Sequence, residues 1–517
     1  MRPSAALLTL AAVVACSGAD PTQPLPVPKP DPKPLPPLST AKTTLEQTLV
    51  PRKIRPAMPD ARILTVPENL QAIVGEGYGE FDEGPGEAPL ARYPAGMAMV
   101  PPAGPNAKRL VRFVHLADLQ LADDESPTRL ARFDSAGATS SAFRPQEAHQ
   151  CRILNAVVRT INKLHETTPM DFVLMGGDNA DSAQQNEIDW VLQILDGAPK
   201  VECDSGADDD PVAGPDNDPK DAFFAEGLKM PWRWVTGNHD VLVQGNFVVD
   251  PFRIDTALGD AAPGGARDWS QPGGPIVTLG LVPDANRRPL ARADVLARVQ
   301  AAKDGHGIPK DIVASGYGTF TFDVPGTALR FLVLDTTSST GGSEGLIRKG
   351  DMNGRIKTLL DQAKSDGKWV VLASHHAVAS LGDGSGLGGA RQADAVTADE
   401  WTSFVGSYPN VVFSMVGHTH EHIVRYIEPA GAGHAWWEVM TSAIADYPHQ
   451  FRVVEIWDED NGFLRMHTYV SDYSTEGDPV ALEGKKLGVA DYTSAWIGPG
   501  QGTPEDRNVD LWIARPQ

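Results

Sequence analysis

Five apolar, β-prone runs in this chain each stop at a short polar block, and that recurrence constrains the fold more than any other feature. Leu110 to Leu116 runs into Asp118-Leu119-Gln120, and Asp171 to Met175 into Gly177-Asp178-Asn179. Trp232 to Val235 feeds Gly237-Asn238-His239-Asp240, Trp369 to Ala373 feeds Ser374-His375-His376, and Val411 to Val416 feeds Gly417-His418-Thr419-His420. Between the first runs, apolar residues recur at helical spacing: Ile153, Ala156, Val157, Ile161 and Leu164 within 145–165, then Ile188, Val191, Leu192 and Leu195 within 184–195. Strand alternating with helix predicts a parallel α/β unit, in which ligands gather at the carboxyl ends of the strands. The polar blocks occupy those ends.

The second half is richer in strands. Runs at 320–324 and 329–335 flank Pro325-Gly326 as a hairpin, a helix is expected over 355–365, and 436–440, 451–457 and 464–470 read as closing antiparallel strands. The fold class predicted is α/β (α+β), two mixed sheets packed together with helices outside. One domain is expected over 106–475. It carries two insertions: an acidic loop at 204–221, which could bind calcium but lacks the EF-hand spacing and is read as solvated, and a longer excursion at 241–316 with a helix near 290–302. A Pro- and Gly-rich segment, 41–105, is expected to wrap its surface, and 476–517 to form a C-terminal extension.

The first forty residues read as an export signal and tether. Arg2 precedes an apolar stretch, Ala5 to Ala15, too short to span a bilayer as a helix. Val13-Val14-Ala15-Cys16 resembles the lipobox of bacterial lipoproteins, so 1–16 is expected to be a lipoprotein-type signal and 17–40 a linker. Pro21 to Pro37 favours extended polyproline II. The protein is expected to be exported and membrane-anchored by lipid alone. Cys151 and Cys203 are then the remaining cysteines, an even number in an oxidising compartment, where pairing is open to them. A formal net charge of −22 argues against nucleic acid as a partner, but not against a small phosphorylated substrate held by bound cations.

The polar blocks supply Asp, Asn, Gln and His without thiolate. That donor set suits Mn²⁺, Fe or Zn²⁺ better than a cysteine-rich zinc site or an all-oxygen calcium cage. The adjacent His375 and His376 are both candidates. The ordered set D-x-(H or Q), G-D, G-N-H-D, H and G-H-x-H, spanning 118–420, resembles the calcineurin-like metallophosphoesterase superfamily, whose fold is a β-sandwich of two mixed sheets flanked by helices.

The resemblance implies that Asp118, Gln120, Asp178 and His420 hold one metal ion, and that Asp178, Asn238, His375 and His418 hold a second. Asp178 would bridge the two, and His375 is favoured over His376. His239 would stabilise the phosphoryl group or protonate the leaving oxygen, and Asp240 would orient its imidazole. Gln120 departs from the histidine common at that position and leans the first site toward Mn²⁺ or Fe over Zn²⁺.

Two such ions can share and acidify a hydroxide and hold both sides of an in-line displacement at phosphorus. The expected function is therefore dinuclear, metal-dependent phosphoester hydrolysis. The rivals are a metal-binding surface lipoprotein with a vestigial site, and a hydrolase of a non-phosphorus ester.

Other residues receive blander readings. His115 is expected to pack within its strand and His422 to lie just past the site. Asn179 and Asp181 are read as caps of the next helix, Asn186 and Glu187 as part of its solvated face, and Arg144 as a surface charge.

Overall fold

The computed structural model describes residues 31–516 apart from 138, 304, 313 and 314. The export signal, Cys16 and the first part of the proline-rich linker therefore lie outside the described residues. Two large sheets hold thirteen strands, in chain order β1 (Leu90–Arg92), β2 (Lys108–Leu116), β3 (Phe172–Met175), β4 (Trp232–Trp234), β5 (Phe320–Asp323), β6 (Leu329–Leu334), β7 (Trp369–Ser374), β8 (Val411–Val416), β9 (Ile423–Ile427), β10 (Trp436–Met440), β11 (Gln450–Asp458), β12 (Phe463–Asp472) and β13 (Val509–Ala514).

The first sheet has the order β1-β13-β12-β11-β2-β3-β4 and the second β5-β6-β7-β8-β10-β9. Strands β2, β3 and β4 are mutually parallel, as are β6, β7, β8 and β10. Both parallel blocks arise because helices return the chain. Gln150–Thr167 connects β2 to β3, Lys357–Ser365 precedes β7, and Ala398–Gly406 precedes β8. The strands carry near-continuous apolar runs because both their faces are covered.

The sheets meet through aromatic side chains. Phe113 of β2 and Phe172 of β3 stack at 5.1 Å, and each meets Phe331 of β6 edge-on at 5.3 Å. Such pairs add about 0.5–1.5 kcal/mol each beyond the area they bury. The predicted sandwich of two mixed sheets flanked by helices is what forms.

Several segments do more than their sequences suggested. The stretch after 475 contributes β13, an antiparallel partner of β12, and the helix Pro479–Thr493 contacts Gln150–Thr167, so position 475 is not where the sheet ends. The stretch before 106 contributes β1, which pairs parallel to β13.

The acidic loop 204–221 is solvated only in part, along 207–217, and its two ends are buried. A disulfide between Cys151 and Cys203 pins its start, and Asp204, Asp209, Asp218, Lys220 and Asp221 are all buried. The excursion at 241–316 holds a hairpin, Ala261–Arg267 with Ile276–Leu279, and the helix Arg292–Gln300. No described helix is long and apolar enough to cross a membrane.

Candidate metal centre

The carboxyl ends of β2, β3, β4, β7 and β8 converge where the two sheets abut, joined there by a bridge between Ala117 and Ala443. At these ends Asp118, Gln120, Asp178, His418 and His420 all adopt positive φ, between 36° and 85°. A non-glycine residue in that region costs about 1–3 kcal/mol and persists only where surrounding contacts enforce it. Glycine is required at two neighbouring positions. A Cβ on Gly237 would stand 2.1 Å from Asp178 Oδ1, and one on Gly245 2.3 Å from the His239 ring. The backbone is thus packed against the side chains it presents.

Asp118, Asp178 and His375 each offer a ligand atom within 4.8 Å of the others, all three residues being buried. His375 Nε2 stands 3.0 Å from Asp178 Oδ2 and 3.8 Å from Asp118 Oδ1. Its Nδ1 lies 3.0 Å from the Gly176 carbonyl, which can only accept, so Nδ1 carries the proton and Nε2 faces the carboxylates.

His376 turns away. Its Nδ1 meets Thr336 Oγ1 at 2.8 Å and its Nε2 meets the Ser343 carbonyl at 3.0 Å, so both ring nitrogens are occupied. The choice left open between the two histidines thus falls to His375. Asn238 donates from Nδ2 to the Gly245 carbonyl at 3.0 Å, while its Oδ1 is buried without a hydrogen-bond partner. A buried amide oxygen left unpaired costs about 1–3 kcal/mol, and a cation would satisfy it. The His418 ring packs against His375 and His376 at 5.2 and 4.5 Å.

On the other side, His420 Nε2 stands 3.5 Å from Asp118 Oδ1 while its Nδ1 donates to Asp446 Oδ2 at 2.5 Å. Asp446 is itself held by Arg144, whose Nε donates to Asp446 Oδ1 at 2.6 Å. The same guanidinium donates from Nη2 to Gln120 Oε1, also at 2.6 Å. Gln120 thus shares with Arg144 the oxygen that its implied ligand role would use. Its amide oxygen already carries a charge-assisted hydrogen bond, and a second lone pair is all it could offer a cation. Asp118, Asp178 and His420 are the other donors on this side, the two carboxylates also accepting from the His418 and His239 amides.

The charges fit a cation. Burial resists the charge on His375, but Asp178 and Asp118 raise its pKa to about 9. Burial likewise opposes ionisation of Asp178, yet His375 and His239 hold its carboxyl well below the usual range. His418, by burial and by the neighbouring His375, is pushed down to about 3, which leaves its ring neutral with a lone pair. The two buried carboxylates thus favour a positive charge beside them, here the protonated His375 ring. The donor set, the tautomers and the orphaned Asn238 oxygen all fit divalent metal.

His239 sits at the mouth, its side chain 18% exposed. Its Nδ1 meets the Asp181 carbonyl at 2.6 Å and lies 3.5 Å from Asp181 Oδ1. Asp240 does not orient that ring. Its Oδ1 accepts from Asn179 N (2.8 Å) and Ala180 N (3.0 Å), and its Oδ2 from Gly237 N (2.8 Å) and Asn179 Nδ2 (3.1 Å). Asp240 therefore clamps the turn that presents Asp178, and burial, with Asp178 adding, raises its pKa to about 7. The orienting role passes to Asp181, which is held in turn by Arg129 and by Gln244 Nε2 (3.2 Å).

Three further readings change. Neither Asn179 nor Asp181 caps the helix Gln185–Asp196, which starts from Gln184 with Glu187 in a capping box. Asn186 and Glu187 are buried rather than solvated. Arg144 is 1% exposed, not a surface charge. His422 is buried between Ser442, Gln450 and Arg452. His115 packs within its strand as expected, fully buried against Thr441. Arg144 and Asp446 stand 302 residues apart with no motif around either, so nothing in the sequence pairs them. Asp181, three residues after Asp178, was the one missed residue with a positional hint.

The sequence model of a family described as calcineurin-like phosphoesterase matches residues 111–422, more than half of the chain. The chain belongs to the calcineurin-like phosphoesterase family. It is accordingly a metal-dependent hydrolase by family. No curated protein sequence matches it.

Among solved structures, a dimetal phosphatase from Danio rerio is similar at 13% identity, covering 71% of this chain and 100% of its own, with a TM-score of 0.39. A purple acid phosphatase from yellow lupin (Lupinus luteus) seeds shares 13% identity over 76% of this chain and 55% of its own, at 0.30. The sulfate thiohydrolase SoxB of Thermus thermophilus shares 14% over 75% and 60%, at 0.33.

Proposed function

We propose that this calcineurin-like phosphoesterase hydrolyses a phosphoester bond in a small substrate with two divalent ions. Asp118, Asp178 and His420 would hold the first, with the second lone pair of Gln120 Oε1 as a weak addition. Asp178, Asn238, His375 and His418 would hold the second. The observation that carries the reading is the buried, unpartnered Asn238 Oδ1 beside the Asp118, Asp178 and His375 cluster. When bound, the ions would supply Lewis-acid activation of water and of the phosphoryl oxygens.

The chain's own residues do the rest. Asp446 fixes the His420 tautomer through Nδ1, and the Gly176 carbonyl does the same for His375, which sets ring orientation and donor strength. His239 donates a hydrogen bond from Nδ1 to the Asp181 carbonyl and leaves Nε2 at the open mouth. With the ring doubly protonated and the Asp181 carboxylate beside it as countercharge, the Nε2 proton would go to the departing oxygen and leave the neutral Nδ1–H ring. A groove of about 250 Å³ opens beside His418 and His420, walled by Ser140, Tyr447 and Pro499, and would receive the substrate.

The donor types and the loaded Gln120 favour Mn²⁺ or Fe over Zn²⁺. The Cys151–Cys203 disulfide supports export to an oxidising compartment, in keeping with a lipid-anchored protein.

The test is turnover of p-nitrophenyl phosphate, bis-p-nitrophenyl phosphate and a carboxyl ester by the Mn²⁺-loaded chain beside His239→Ala. At least one phosphoester should be hydrolysed, and His239→Ala should be slower by about 10²–10⁴-fold, as loss of a general acid implies, with metal content unchanged. A filled site that turns over none of the phosphoesters refutes the reading, and hydrolysis of the carboxyl ester alone moves it to a different ester.

A further inference from the structure

A second gathering of buried carboxylates lies apart from the residues that converge on Asp178. The loop 204–221 folds over Asp123, Asp124 and Glu125, which follow the Asp118–Gln120 block. Asp123, Asp124, Glu125, Asp204 and Asp209 are each at least nine-tenths buried. Three of the five have basic partners. Lys220 Nζ donates to Asp124 Oδ1 at 2.9 Å and to Glu125 Oε2 at 2.7 Å, and Arg287 Nε donates to Asp123 Oδ2 at 3.0 Å.

Asp204 and Asp209 differ. Among the described residues neither forms an ion pair with a lysine or arginine. The Oδ1 atom of each is buried and takes no hydrogen bond. Buried carboxylate oxygens are almost always paired or on a metal, so two orphans side by side call for a missing partner. Glu125, Asp204 and Asp209 each bring one carboxylate oxygen within 4.8 Å of the others. A single ion about 2.3–2.6 Å from each oxygen spans that spacing.

We propose that Glu125, Asp204 and Asp209 hold a calcium ion. The donors are all oxygen, which selects a hard cation over the transition metals suited to the histidine-bearing centre. They also come from two separate segments, an irregular arrangement that calcium tolerates and magnesium's strict octahedron does not. Lys220 shares Glu125 through Oε2 and leaves Oε1 for the ion. The ion ties the disulfide-anchored loop to the segment that carries Asp118 and Gln120, and so braces one wall of the catalytic centre. This inference does not depend on phosphoester hydrolysis.

The test uses the full chain, stripped of calcium and loaded with Mn²⁺ so that the histidine-bearing sites are filled. Calorimetric titration with Ca²⁺ should show one further site per chain. Asp204→Asn/Asp209→Asn should weaken it at least tenfold, and Asp178→Asn should leave it in place. Should the double variant fail to fold, terbium on the parent decides. Trp269 Nε1 donates to Asp124 Oδ2 at 2.7 Å, so terbium bound beside it should luminesce on tryptophan excitation and fade as Ca²⁺ is added. No calcium-displaceable terbium signal, a site that takes Mg²⁺ in preference to Ca²⁺, or full Ca²⁺ affinity in a folded double variant overturns the assignment.

Discussion

Replacing Asp446 by asparagine separates the two jobs that its carboxylate performs. One oxygen accepts from His420 Nδ1 at 2.5 Å and the other from Arg144 Nε at 2.6 Å, with all of the carboxylate buried. The amide would keep the volume and lose the charge. Removing one member of a buried ion pair costs about 3–5 kcal/mol, because the remaining charge stays buried without its partner. Here the stranded charge is the Arg144 guanidinium, so urea unfolding of the metal-free variant should show a loss of that order.

The His420 ring also loses the charged acceptor that holds its tautomer and strengthens its Nε2 donor. Loss of such a partner weakens metal affinity by about 10–100-fold. Manganese titration should therefore show one site weakened by that factor and the Asn238–His375–His418 site close to parental. Two sites of parental affinity in Asp446→Asn would refute the reasoning that Asp446 tunes His420. Weakening of both sites equally would place its effect on the fold instead.

Asp181→Asn should shift the pH dependence of turnover with metal content unchanged, whereas Asp240→Asn should lower metal affinity without moving that profile. The opposite pattern, measured by pH–rate curves and metal analysis, restores Asp240 as the residue that orients His239. Cys203→Ser opens a loop with ends 52 residues apart and should cost about 2–5 kcal/mol in urea unfolding; an unchanged midpoint contradicts this. Burial holds His115 down to about 3 and His449 to about 4, both below the value of an unfolded histidine. The unfolded chain takes protons that these rings refuse, so stability is complete above about pH 6.5 and falls as pH drops toward 4. Each ring contributes a slope of about 1.4 kcal/mol per pH unit. His115→Gln should remove one such slope from urea midpoints measured between pH 7 and 5, and an unchanged slope counts against it.

The sequence made legible what depends on local order along the chain. Apolar runs that end in Asp118, Asp178, Asn238, His375 and His418 placed those residues at parallel strand ends, because a buried β-strand has to be apolar throughout and its first free position is the end. What escaped depends on contacts between distant segments. Arg144 reads as a loop arginine until helix Gln150–Thr167 and the turn at Asp446 bring it to Gln120. Asp240 follows His239 in sequence, yet a side chain after a strand end points to whichever backbone amides are free, here those of Asn179, Ala180 and Gly237. The acidic loop 204–221 looked solvated because composition carries no information about a lysine buried among its carboxylates. The edge strand β1 is three residues long, and its partner β13 lies hundreds of residues further along the chain.

The central claim is that Asp178 joins two metal ions into one phosphoester-cleaving centre. Metal-free chain titrated with Mn²⁺ while bis-p-nitrophenyl phosphate and p-nitrophenyl phosphate are assayed tests this most directly. The account predicts turnover that rises to a plateau at two equivalents per chain, and a loss of both sites and of turnover in Asp178→Asn. Turnover by the metal-free chain, or full turnover by Asp178→Asn, would contradict it.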